Sequence, residues 1–149
     1  MDKRQSVLIV NMIIIFAVVL TIAITQWIAT DMKEVNMTAL GASLIVLSLL
    51  VIIFIVLHHK FQKEESRSGK IDGLTTLLTI ISVLFALVLI VYSILVFSIK
   101  AATDEFISKP TSDSASYLKN TSKTMGWVAP TIILLAVPAG ITSGLNFTK

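Results

Sequence analysis

Residues Leu74 to Ile99 read LTTLLTIISVLFALVLIVYSILVFSI, with no charged side chain from end to end. Eighteen of these residues are Leu, Ile, Val or Phe. Central-position insertion values make such a run worth about −5 to −11 kcal/mol as a membrane helix. At 1.5 Å per residue it would be about 39 Å long, more than a hydrocarbon core of about 30 Å. A tilt, or an extension beyond the lipid, is therefore expected.

Working outward, three further runs are also free of charge: Val7 to Ile28, Leu40 to Leu57 and Trp127 to Leu145. Each is long enough as a helix to cross or nearly cross a bilayer. With 55% hydrophobic and 14% charged residues in 149 positions, the composition is that of a membrane protein. The expectation is an all-α fold: one domain of four transmembrane helices in an up-down bundle, spanning about 7–28, 40–57, 74–99 and 127–145. The stretch between the third and fourth spans reads as an external loop that is partly helical.

The first run follows Met-Asp-Lys-Arg-Gln, a basic start resembling that of a signal peptide. It continues well past the 7–15 apolar residues of a signal core, so a membrane span is expected. Trp27 would anchor its far end in the interface. With the N-terminus inside, Lys3, Arg4, Lys60, Lys63, Arg67, Lys70 and Lys149 lie on that side. Lys33, Lys100, Lys109, Lys119 and Lys123 lie on the other, a bias of seven to five. The basic residues are densest in the shorter segments, which places both termini in the cytoplasm of a multi-pass cell-membrane protein. They are spread too thinly for a nucleic-acid footprint.

The fourth run is the weakest. It has eight Leu, Ile, Val or Phe residues and contains Pro130, Pro138, Gly140 and Gly144. Ala136, Gly140 and Gly144 recur every fourth residue and present small side chains on one helix face. Another helix can approach closely there, which gains van der Waals contact where lipid offers no hydrophobic incentive to associate. The partner for that face is one of the chain's own helices or another polypeptide. Pro138 lacks an amide hydrogen, so a kink is expected beside the stripe.

The polar residues within the runs give little chemistry. Asn11 lies about two turns from the charged N-terminus, within reach of headgroups. Thr21 and Thr25 can bond carbonyls of the preceding turn. His58 and His59 point about 100° apart on a helix and so make a poor pair of ligands on one face; they read as an interfacial pair beside Lys60. A single histidine contributed to a shared site is the remaining metal reading. With zero cysteines there is no thiolate site and no disulfide. No cofactor and no catalytic residue are expected, since no nucleophile and base, and no metal set, can be assembled within a span.

The connections complete the reading. Lys60 to Asp72 mixes both signs of charge and reads as a solvated turn. In the Lys100 to Gly126 stretch, Pro110 to Asp113 reads as a stop followed by a capped short helix, with Tyr117 and Leu118 free to rest on a membrane surface or a partner. Asp104 and Glu105 read as solvated charges. Asn36-Met-Thr and Asn120-Thr-Ser match the glycosylation acceptor pattern in external connections, and Asn146-Phe-Thr matches it on the inner side.

The residues that the chain lacks exclude several familiar classes. Small multidrug antiporters depend on an acidic residue in the first span, tetraspanins and claudins on extracellular cysteines, and four-helix b-type cytochromes on paired histidines. The expected function is that of a non-catalytic accessory subunit, packing against larger integral membrane subunits and lipids. Membrane oxidases and copper monooxygenases, ammonia monooxygenase among them, gather subunits of this general kind; the parallel is one of role. The alternative is a small homo-oligomeric pore lined by Thr, Ser and Asn.

Overall fold

In a computed structural model of the chain, residues 3–31, 37–65 and 73–148 are described. Every one of those segments is helical over nearly its whole length. The helices are α1 (Lys3–Asp31), α2 (Met37–Glu65), α3 (Gly73–Ser108) and α4 (Ser112–Thr148). All four are long and apolar enough to cross a membrane.

Each helix packs on two others, in the ring α1, α2, α3, α4 and back to α1. The pairing is read from named contacts. Gln5 and Asn11 of α1 meet Phe147 and Ser143 of α4. Thr75 of α3 meets Asn146 of α4, and Gly41 of α2 lies against Phe97 of α3. Across the centre of the ring, the Tyr92 hydroxyl of α3 donates to Gln26 Oε1 of α1 at 2.9 Å.

The core runs along the axis, with Val18, Ile22, Leu44, Leu89, Tyr92, Val96 and Ile132 fully enclosed. A smaller cluster of Leu8, Phe54 and Leu78, with Phe147 against it, closes the end where α1 begins. The outward faces are as apolar as the inward ones: Phe16, Val56, Leu87, Leu134 and Val137 all point away from the bundle. Asn11, Ser48, Ser82, Ser93, Thr142, Ser143 and Asn146, by contrast, are buried. Polar groups inside and branched aliphatics outside is the distribution that lipid, not water, favours around a helix bundle.

The connection from Lys100 to Gly126 departs from expectation. It is not a loop holding a short helix. α3 continues to Ser108, and after Lys109, Pro110 and Thr111 the chain enters α4, which runs unbroken into the fourth apolar run. The reason is visible in the residues. Pro110 and Gly126 are the only breakers in the stretch, and Ser114, Leu118, Thr121 and Met125 recur at helical spacing along one side. Of these, Ser114, Thr121 and Met125 are buried, as are Ile99 and Ala102 on α3. The two helices thus stay zipped together beyond the apolar runs.

The expected cap is present, at the head of this long helix. The Thr111 amide donates to Ser114 Oγ at 2.9 Å, and the Ser114 amide donates back to Thr111 Oγ1 at 3.1 Å. This reciprocal pair satisfies two amides that a helix start leaves open. Ser114 Oγ also donates to the Lys109 carbonyl at 2.8 Å, tying the end of α3 to the start of α4. Asp113 in the first turn suits the positive end of the helix dipole. At the other connection, Lys60 to Glu65 continue α2 rather than forming part of a turn.

Candidate packing interface

A layer of polar contacts lies at the end of the bundle where α1 starts and α4 finishes. Asn11 is buried, and its Nδ2 donates to Ser143 Oγ at 3.0 Å. Ser143 in turn donates to the Ala139 carbonyl at 2.8 Å. One turn on, Asn146 Nδ2 donates to the Thr142 and Leu74 carbonyls at 2.8 and 3.2 Å, while Thr75 Oγ1 donates to Asn146 Oδ1 at 3.3 Å. Gln5 Nε2 adds a donor to the Phe147 carbonyl at 3.4 Å, near the end of α4, where carbonyls lack helical partners. Three helices, α1, α3 and α4, are thereby joined through side-chain amides and hydroxyls.

This corrects the reading of Asn11 as a headgroup contact: its distance from the N-terminus is short, but its side chain turns inward to α4. Asn146, which opens the third acceptor pattern, is buried between helices. Asn120 is exposed on α4, and Asn36 lies outside the described residues. Thr21 and Thr25 do bond the preceding turn, each donating over 2.7 Å to the Ala17 and Thr21 carbonyls.

The two histidines part company. His59 is exposed, but His58 is buried and its ring stacks on Phe54, with centroids 5.5 Å apart and planes 24° from parallel. His58 therefore does not share the exposed surface with His59, and the two do not form an interfacial pair. One helical turn separates Phe54 from His58, which brings the two rings face to face on the inner side of α2.

The small-residue stripe divides in a similar way. Ala136 belongs to the core, flanked on the same face by Ile132 and Ala139. Gly140 and Gly144 are only half-buried, as is Pro138. A Cβ added at Gly140 or Gly144 would meet nothing within 4 Å. The two glycines therefore form a bare ridge on the flank of α4, and α4 continues through Pro138 as helix. Close approach inside the bundle occurs instead at Gly41, where an added Cβ would lie 2.8 Å from the Phe97 ring. No local pattern marks that glycine, because its partner is more than fifty residues away.

At the other end, Tyr117 is exposed while Leu118 packs partly into the core, and Asp104 and Glu105 face outward. Trp27 and Trp127 are both exposed. Sixteen residues separate Asn11 from Trp27 and sixteen separate Ser143 from Trp127. Extending the Asn11 to Ser143 pairing therefore brings the two indoles level, about 24 Å along the bundle.

The fold and contacts define a four-helix all-α chain whose helices are each long and apolar enough to span a membrane. No family model, no curated protein and no solved structure matches it.

Proposed function

We propose that the chain is a four-pass membrane protein with helices alternating in direction, acting as a non-catalytic accessory subunit that packs against larger integral membrane subunits. The alternation is supported by the Asn11 to Ser143, Thr75 to Asn146 and Gly41 to Phe97 pairings. Insertion is supported by the buried polar residues and apolar exterior, and by the levels of Trp27 and Trp127. From Trp127 to Phe147 twenty helical steps cover about 30 Å, the thickness of a hydrocarbon core. The distribution of basic residues favours both termini on the cytoplasmic side.

The observation that carries the accessory role is the bare ridge at Gly140 and Gly144. The chain's own helices leave it open, and a glycine face on a membrane helix is the surface on which a further helix gains most contact. The zipped ends of α3 and α4, extending past Trp127 by about 22 Å to Ser112, give a second surface outside the lipid. Purification from native membranes in mild detergent tests the proposal: stoichiometric larger subunits are expected, and a clean, fully stable monomer would overturn it. Reconstitution in liposomes tests the pore alternative, which requires ion flux from the purified chain alone.

A further inference from the structure

A cleft of about 220 Å³ runs between α1 and α2 on the outer surface. Val7, Val10 and Ile14 form one wall and Leu50, Ile53 and Leu57 the other, with Ser6 at its mouth. We propose that this cleft binds one membrane phospholipid, with an acyl chain along the apolar walls and the headgroup phosphate at Lys60.

Three relationships support that occupant. The first is depth. The mouth sits beside Gln5, which reaches Phe147 at the end of the bundle remote from the two tryptophans. From Ser6 to Ile14 the cleft descends about 12 Å, within a single leaflet of about 15 Å. The second is charge. Ile53, Leu57 and Lys60 follow one another at helical spacing, so the wall of α2 leads to an exposed ammonium group at the mouth. A basic residue at the membrane surface attracts a lipid phosphate, while the stem of Lys60 can lie along the apolar wall.

The third is shape. A helix is 10–12 Å across with its side chains and docks where small residues let backbones approach. This cleft has no glycine or alanine in its walls, and its bulky apolar side chains suit contact with a hydrocarbon chain. The open glycine ridge of α4 has the opposite character.

The site requires membrane insertion but not the accessory role. The test uses the full-length chain, released from nanodiscs containing phosphatidylglycerol and weighed by native mass spectrometry. One tightly held lipid per chain is expected. Val10→Trp and Ile53→Trp, which fill the cleft from exposed positions, should each abolish retention at unchanged melting temperature. Lys60→Gln should raise the lipid concentration for half-occupancy about fivefold. Leu134→Trp, on the exposed face of α4, should change nothing. Equal retention by all four variants would overturn the site, as would a photoreactive acyl chain that labels every helix alike. A cross-linker at Val10 that captures another polypeptide in native membranes would also overturn it, giving the cleft to a partner helix. A chain that fails to enter the nanodisc contradicts the membrane reading itself, whereas an inserted chain without lipid contradicts only this site.

Discussion

The Asn11 carboxamide of α1 donates to the Ser143 hydroxyl of α4 over 3.0 Å, and Ser143 passes its own hydrogen to the Ala139 carbonyl. The fourth apolar run, poorest in large aliphatics and interrupted by two prolines, is thus held by a polar contact to the first. In lipid the worth of such a contact is limited, because the separated helices also find partners for their polar groups. A double-mutant cycle with Asn11→Leu and Ser143→Ala should give a coupling of about 0.6 kcal/mol, and no more than about 1.7 kcal/mol, by reversible unfolding in detergent or bicelles. A coupling of zero would mean the pair does not form.

Two glycines should respond in opposite ways. Gly41→Ala forces a methyl group to within 2.8 Å of the Phe97 ring and should cost about 1–3 kcal/mol, relieved when Phe97→Leu is added. Gly140→Ala meets open space and removes a flexible residue from a helix, so it should leave the isolated chain unchanged or raise stability by up to about 1 kcal/mol. Thermal unfolding of the two variants side by side measures the contrast.

Tyr92 spans the ring to reach Gln26 at 2.9 Å, a bond that joins α1 directly to α3. Tyr92→Phe keeps the ring in the core and deletes that hydroxyl, and should cost about 1 kcal/mol. If the melting temperature is unaltered, the diagonal bond contributes nothing measurable.

The levelling of Trp27 and Trp127 is open to fluorescence, because the chain has only these 2 tryptophans. In the single variants Trp27→Phe and Trp127→Phe, the remaining indole should be quenched most by lipids brominated near the headgroup, and to the same depth in both. Depths differing by more than about 10 Å, some seven residues of helix, would break the proposed register.

Four uncharged runs were enough to place the helices, since length and absence of charge suffice for that. The extent of α3 and α4 was harder to read. Residues 100–126 are polar, so hydropathy ends there, while the helical spacing of Ser114, Leu118, Thr121 and Met125 continues with too little apolar contrast to stand out. The cap at Thr111 and Ser114 was legible because its chemistry is local. Asn11 and His58 were misplaced for a shared reason: nearness to a charged segment marks depth along a helix but not the side that faces inward. The stripe from Ala136 to Gly144 could be named from spacing alone, yet which part of it the chain fills depends on the packing of α1 and α3 around α4.

The central claim is that the open ridge of α4 receives another membrane subunit. It is tested most directly by purifying the tagged chain from native membranes in mild detergent, beside the double variant Gly140→Leu/Gly144→Leu, and measuring the stoichiometry of co-purifying proteins by native mass spectrometry. The account predicts larger integral membrane subunits in fixed ratio with the wild-type chain and their loss from the variant, whose helix content and melting temperature stay as they were. A wild-type chain recovered alone and fully stable, or a variant that keeps its partners in the same ratio, would contradict it.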